Sequence, residues 1–402
     1  MKYWLAIAIT ALSLPAMAQG ELPPGPGRET VQSACIACHD LKRVTNGGYS
    51  ESEWRTVIAM MINVGAPVPR DRVDQLTQYL ATNFPARARP SAVLLAGDVK
   101  VEIKEWTVPT PGSRPHDPLA APDGSLWYSG QMANVLGRLD PETGQFREYH
   151  VPEGSGPHGL VFDRDGKVWF TANFGGYIGK LDPATGTVTR YPLPDPDARD
   201  PHTLVFDQKG ILWFTVQSAN KVGRLDPATG AIKLVTPPTP RANPYGMVVT
   251  STGVPFFDEF GSNKIGRIDP ETMVIREYAL PNPGARPRRI AITADDIIWY
   301  TDYARGYLGR LYSATGAVLE WPSPGGREAQ PYAITVVKNA IWYVETGTNP
   351  NTLVRFDPLT QKFQTWPIPS GGGVVRNMMP TRDGNLALAC SGVDRVALAE
   401  IK

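Results

Sequence analysis

Cysteine is scarce: three residues in 402. That is too few for a disulfide framework, so stability has to come from packed cores. A dominant charge sign is also lacking. Lys+Arg 40 against Asp+Glu 39 leaves a net +1, which argues against a nucleic-acid binder, whose footprint is a basic excess. Long apolar runs are missing too. The run Tyr3–Leu14 near the start falls short of the roughly 20 residues a membrane-spanning helix needs, so no membrane span is expected. What the chain has is a globular balance, 42% hydrophobic and 20% charged, with 39 glycines and 39 prolines. That composition excludes a mainly disordered chain and points to many turns and short strands. The length fits two or three domains, or one large β-domain beside a small one.

The first residues read as an export signal. Met1-Lys2 gives a positive start, Tyr3–Leu14 an apolar stretch, and Pro15-Ala16-Met17-Ala18 a small-residue cleavage site. Cleavage after Ala18 leaves residues 19–402 as an exported chain, with the periplasm as the expected location.

A haem attachment sequence follows at Cys35-Ile36-Ala37-Cys38-His39. Two thiols on one helical turn can add to the two vinyl groups of a haem, and the adjacent histidine then sits under the iron. A thioredoxin-like dithiol would need a surrounding βαβ pattern, and a zinc site a second Cys/His pair. Neither is present. One covalent haem c is therefore expected, on Cys35 and Cys38 with His39 as an axial ligand.

The second axial ligand should lie downstream. Ser50-Glu51-Ser52-Glu53 offers a helix start. Trp54, Ile58, Met61 and Gly65 then fall on one helical face. A second helix is expected from Arg70 or Asp71 to Asn83, with Val73, Leu76, Tyr79 and Leu80 on its apolar face. Residues 25–86 resemble the small class I c-type cytochromes, through Cys35–His39, the Trp54–Ala66 segment and Tyr79-Leu80. The resemblance implies an all-α haem domain over residues 19–90, linker included, that transfers electrons. Met61 keeps the Trp54 face and is the ligand chosen; Met60 is the alternative. A thioether favours the reduced iron.

Pro85 to Pro90 lacks apolar periodicity and reads as a linker or strap. Beyond it the sequence repeats. Pro115-His116, Pro157-His158, Pro201-His202, Pro244-Tyr245, Pro287-Arg288 and Pro331-Tyr332 begin six units spaced 42 to 44 residues apart. Each continues with an aromatic pair such as Trp169-Phe170. All but the last then show a Gly-basic pair such as Gly179-Lys180, and turns such as Asp182-Pro-Ala-Thr-Gly186 recur. Four short strands per repeat of this length make a β-propeller blade. A weaker seventh unit, Val375 to Val396, lacks its last strand, and Val101–Pro109 resembles the missing one. The expected architecture is thus multidomain: a small all-α domain, then an all-β seven-bladed propeller over residues 96–402 with 1+3 strand closure. These repeats resemble the virginiamycin B lyase (streptogramin lyase) family, through segments such as Pro157-His158-Gly159, Trp213-Phe214-Thr215 and Asn263-Lys-Ile-Gly-Arg267.

Equivalent positions in a propeller form rings. The position after each start proline carries His116, His158, His202, Tyr245, Arg288, Tyr332 and Arg376. A second ring, three residues after the first aromatic, carries Gly130, Ala172, Val216, Glu259, Asp302, Glu345 and Cys390. If both face the channel mouth, imidazoles lie opposite carboxylates. His116, His158 and His202 then make a candidate metal site for a divalent ion, and His158, His202, Glu259 and Glu345 a candidate acid–base set. The alternative is that each histidine simply bonds a neighbouring blade's backbone. Cys390 reads as a buried small hydrophobe, and His150 has no assigned role. The lyase resemblance implies a catalytic histidine on one blade, then a Glu-Pro-His and a further glutamate on the next. The nearest match is His158 with Asp200-Pro201-His202, where aspartate replaces the first glutamate and Gln217 the second.

Three functions stay open at this point. One is a redox protein, with an oxidoreductase activity conceivable, that passes electrons between a periplasmic partner protein and a small-molecule substrate, metal or partner bound by the propeller. Another is a carbon–oxygen lyase with an accessory haem domain. The third is a non-catalytic propeller sensor or interaction scaffold.

Overall fold

The computed structural model describes residues 22–36 and 41–402. The export segment, Ala37, Cys38 and His39 lie outside the described residues. The chain divides into two compact units, Met1–Ile62 with Ala66–Arg87, and Ala88–Lys402 with Asn63–Gly65.

The first unit is helical. Helix α1 (Arg28–Thr30) runs into a π-helical turn, Val31–Cys35, followed by α2 (Lys42–Thr45), α3 (Glu51–Asn63), a 3-10 turn at Arg70–Arg72 and α4 (Val73–Asn83). Ser50 and Glu53 form a reciprocal cap on α3. The Ser50 amide donates to Glu53 Oε2 at 2.8 Å and the Glu53 amide to Ser50 Oγ at 3.3 Å. The expected face of α3 buries Trp54 and Ile58, and Trp54 Nε1 donates to the Phe84 carbonyl at 2.9 Å. Helix α4 buries Leu76, Tyr79 and Leu80. Just before α1, Gly27 has φ 121°, and a Cβ there would lie 2.6 Å from Tyr79 Cβ; only glycine allows that approach. What stands here is a short helical N-terminal part around a small core. A class I cytochrome domain is not shown by it.

The second unit is a seven-bladed β-propeller, seven four-stranded antiparallel sheets. Six run consecutively, from Pro115–Ala120, Leu126–Gly130, Val135–Leu139 and Phe146–His150 in blade 1 to the four strands within Pro331–Pro367 in blade 6. The seventh combines Val375–Pro380, Leu386–Cys390 and Arg395–Ile401 with Val101–Thr107 from the start of the unit, paired from Val101↔Ile401 to Thr107↔Arg395. Pro90, at the end of the segment read as a linker or strap, and Leu95 beyond it lie on blade 6. Leu95 N–H donates to Thr365 Oγ1 at 2.7 Å, and the Asn349 amide to the Pro90 carbonyl at 2.9 Å.

The repeated residues explain the blade. The first aromatic of the second strand stacks on an aromatic of the outer strand, as Trp169 on Tyr191 at 5.2 Å and Trp342 on Trp366 at 5.5 Å. The second aromatic lies across the glycine of the third strand. A Cβ on Gly179 would come within 2.2 Å of the Phe170 ring, so the Gly-basic motif is a packing requirement.

Neighbouring blades are stitched by a hydroxyl in the second strand. Thr171 Oγ1 accepts the Gly159 amide at 2.8 Å and donates to the His202 carbonyl of the next blade at 2.7 Å. Ser129 does the same for Asp117 and His158, and Thr215 for Thr203 and Tyr245. Replacing Thr171 with the isosteric Val leaves one buried donor and one acceptor unmatched. Thr171→Val is expected to cost about 1–3 kcal/mol, read as a lower urea midpoint with an unchanged m-value.

Candidate functional site

In every blade the first and second strands fall out of register just after the start residue, a proline in six blades and Val375 in the seventh. In blade 2, Pro157 pairs with Ala172 and pairing resumes at Leu160↔Phe170; in blade 5, Pro287 pairs with Asp302 and pairing resumes at Arg289↔Thr301. Such irregularities re-aim side chains, and here they bring the residues after the proline together. The rings of His116 and His158 lie 3.6 Å apart, His158 and His202 3.9 Å, and His202 and Tyr245 3.8 Å. The Tyr245 and Tyr332 hydroxyls are hydrogen bonded to each other. The Arg288 guanidinium lies 3.8 Å from the Tyr332 ring centre and 4.3 Å from that of Tyr303. The first ring of residues therefore converges, as expected for a propeller axis.

The next position along each strand supplies the charges. Asp117 from blade 1 meets Arg289 from blade 5, with Nη2 donating to Oδ1 at 2.9 Å. His116 Nδ1 lies 2.9 Å from the same oxygen, and Asn377 Nδ2 donates to Oδ2 at 2.9 Å. Arg289 Nη1 also reaches Thr203 Oγ1 at 3.2 Å. Sequence reasoning missed Asp117, Arg289 and Asn377. The signal was present: they sit at the same repeat position, two residues after the start residue, where other blades carry Gly159, Thr203, Gly246 and Ala333.

The second expected ring is a correction. Glu259, Asp302 and Glu345 end their strands directly opposite the start prolines, for example Pro244↔Glu259 and Pro331↔Glu345, and they bond local groups instead of the imidazoles. Ser262 Oγ donates to Glu259 at 2.6 Å; Ser323 Oγ at 2.6 Å and the Gly325 amide at 2.7 Å donate to Glu345. Asp302 takes the Arg286 amide and an Arg305 ion pair. Strand alternation explains this. Ser129, Thr171 and Thr215, one residue earlier, face the neighbouring blade, so the residue that follows faces away. Burial pushes the Glu259 carboxyl up to about 7. His158 and His202 come together, while Glu259 and Glu345 are not joined to them. Cys390 is fully buried in the seventh blade's core, where burial holds its thiol well up. His150 is exposed on an outer strand.

Burial pushes all three imidazoles well below 6.5. For His116, the nearby Arg376, Arg289 and Arg288 add to the effect. The folded rings stay neutral, whereas the unfolded chain protonates near 6.5. Their contribution to stability is present above 6.5 and is lost as the pH falls from there toward the folded values. Each proton taken up on unfolding steepens the loss by about 1.4 kcal/mol per pH unit. The His202→Gln variant is therefore expected to show a stability slope between pH 6 and 5 that is shallower by about that amount, measured by urea titrations at each pH.

His116, Asp117 and His158 offer ligand atoms within 4.8 Å of one another, so the structure adds Asp117 to the candidate metal donors and does not group His202 with them. The set does not suit a divalent cation. Both Asp117 oxygens already serve donors, one of them the Arg289 guanidinium, and Arg288 and Arg376 act on His116 as well. The surrounding field is positive.

At the blade 3 entrance, Asp200 has φ 69° and accepts from Asn173 and, at 2.7 Å, from Ser218 Oγ; its carbonyl takes the Gln217 amide at 3.0 Å. The Asp200 carboxylate is thus engaged by Asn173 and Ser218, and its link to Gln217 is through the backbone.

The profile of the virginiamycin B lyase family matches residues 95–343. No curated protein matches the chain. A solved streptogramin B lyase structure is 28% identical, with a TM-score of 0.69, over 75% of this chain and 98% of its own. A catalytically inactive histidine-to-alanine virginiamycin B lyase from Staphylococcus aureus with quinupristin is 25% identical, with a TM-score of 0.68, over 75% of this chain and 99% of its own. Kuenenia stuttgartiensis hydrazine synthase, 13% identical at a TM-score of 0.61 over 72% of this chain and 96% of its own, shares the fold alone. The seven blades and the family match over more than half of the residues lead to one conclusion: the chain belongs to the virginiamycin B lyase family.

Proposed function

We propose that the chain is an exported, periplasmic c-type haem protein that exchanges electrons with a periplasmic redox protein, while its lyase-family propeller holds a small-molecule ligand. The observation that carries this reading is the sequence Cys35-Ile36-Ala37-Cys38-His39, whose first cysteine ends the helical turn Val31–Cys35, in a chain whose first residues read as an export signal. The described residues fit the group. Cys35 is unpaired, it packs against the apolar cluster of Val31, Ala34, Trp54 and Leu76, and burial pushes its thiol up to about 11. What addition to a haem vinyl group requires of Cys35 is a reduced thiol, free of a disulfide. Val57 and Met61, one helical turn apart, leave α3 with a half-buried apolar strip, the kind of surface a flat apolar group covers.

Cys35 and Cys38 would hold the haem covalently, with His39 and Met61 as its axial donors. When bound, it supplies a one-electron couple. The propeller's own residues then have a separate task. Neutral imidazoles, two linked phenols and the guanidiniums offer donors around the axis, and the Asp117–Arg289 pair fixes their positions. Expression in a host competent for cytochrome c maturation tests the reading. Haem that stays attached through denaturation supports it; a colourless product from such a host sinks it.

A lyase activity is the second reading, favoured by the family and by the contact of His158 with His202. It predicts opening of a cyclic depsipeptide by elimination that survives Cys35→Ala with Cys38→Ala. Gln217 and Asp200 stand where that chemistry has glutamates, which ranks it second.

A further inference from the structure

The axial cluster holds more positive charge than the protein itself balances. Arg289 is paired with Asp117. Arg288 and Arg376, among the described residues, have no carboxylate partner. Arg288 is held by aromatic faces, 3.8 Å from the Tyr332 ring centre, 4.3 Å from Tyr303 and 4.8 Å from Phe260, and its Nε is buried with no hydrogen-bond acceptor. Arg376 spends its Nε on the Ser391 hydroxyl at 3.1 Å. Asp258, the remaining acid beside them, is fully buried. It accepts the Gly246 amide through Oδ1, and Oδ2 is without a partner; burial pushes this carboxyl well up, and even counted as charged it leaves three guanidiniums against two carboxylates. The imidazoles are neutral.

Two features make this a built site. The aromatic faces fix the plane of Arg288 and leave its Nε without an acceptor, and a planar guanidinium held in this way is the group that grips a carboxylate or phosphate through two parallel bonds. In the Tyr245–Tyr332 pair, one hydroxyl proton is used between the two oxygens, so the second proton is available to an incoming acceptor. Neither Arg288 nor Arg376 is fully enclosed, so a solute has access to them.

We propose that the axial end of the propeller binds an oxyanion, a carboxylate or phosphate group of a small molecule, gripped by Arg288 and Arg376 with a tyrosine hydroxyl as a further donor. The inference rests on the reading that the propeller holds the ligand and is independent of the haem. An anion here also supplies the missing counter-charge for groups that are costly to bury unpaired.

Calorimetric titration of the full chain with sodium acetate and with sodium phosphate, each at ionic strength matched by sodium chloride, tests it. Binding of at least one anion with a Kd below about 10 mM is expected, weakened at least about tenfold in both Arg288→Met and Arg376→Gln. Acetate alone binding marks an organic carboxylate as the ligand, phosphate alone a phosphoryl group, and both an oxyanion of either kind. No binding of either anion overturns the proposal, as does unchanged affinity in the variants. Should Arg288→Met fail to fold, the half-exposed Arg376→Gln decides alone. The visible spectrum of the same sample separates this outcome from the haem reading. A colourless chain that binds acetate sinks the haem alone, and a red chain that ignores both anions sinks this site alone.

Discussion

If the proposed haem is attached, Cys35→Ala combined with Cys38→Ala is expected to yield a haem-free product from a maturation-competent host, an all-or-none change in the visible spectrum, because both thiols that would form its thioether bonds are removed. The effect should extend to the helical unit. Its core is one small cluster built on Val31, Trp54, Ile58, Leu76, Tyr79 and Leu80, and domains of that size are marginal on burial alone. Limited proteolysis should therefore cut the double variant within residues 22–87 and leave the propeller intact. The axial donor is tested separately. Met61 shares a helical face with the buried Trp54 and Ile58, whereas Met60 is rotated from it. A thioether favours the reduced iron, so Met61→Ala should lower the reduction potential by on the order of 0.1 V or more, within the ~0.8 V that axial ligands span. Met60→Ala should leave the potential near its original value. The reverse ranking would move the ligand to Met60, and equal potentials in all three proteins would remove both methionines as ligands.

The propeller was legible because its repeats are made of packing necessities. The tryptophan stacks on the outer strand and the second aromatic needs the glycine opposite, so both recur in most units, while a hydroxyl that stitches one blade to the next recurs in four, as Ser129, Thr171, Thr215 and Thr301. The helix boundaries were legible for a similar reason: Ser50 and Glu53 close a reciprocal cap, and Trp54 and Ile58 repeat at helical spacing. The site was only half legible. Its first ring could be read from the start prolines. The expectation that Glu259 and Glu345 join it failed because adjacent strand residues face opposite ways, and a period of some 43 residues carries no information about which way. Asp117 and Arg289 are 172 residues apart. Their pairing exists only once the ring closes and the irregularity after each proline swings both inward. Cys38 and His39 lie outside the described residues, so the haem motif rests on sequence and on the surroundings of Cys35.

Breaking the Asp117–Arg289 pair should produce the largest stability change available in the propeller. The side chains are 5% and 4% exposed and 2.9 Å apart, and removing one member of a buried pair costs about 3–5 kcal/mol because the other is left uncompensated. For a domain of about 300 residues that lowers Tm by roughly 5–8 °C. The two single variants should not be equal. Arg289→Met leaves Asp117 with His116 and Asn377 as donors and Arg288 and Arg376 still near. Asp117→Leu leaves three guanidiniums in one cluster with Asp258 as the remaining acid, one whose carboxyl burial pushes well up. Asp117→Leu is therefore the more damaging, and the double variant should recover to within about 2 kcal/mol of the original protein, since apolar replacement of a whole buried pair is often near neutral. Thermal unfolding of the four proteins, analysed as a double-mutant cycle, reads out both statements. Equal costs for the two single variants would mean that the positive charge near the axis is already balanced by groups other than Asp117, and would remove the electrostatic ground for an anion between Arg288 and Arg376.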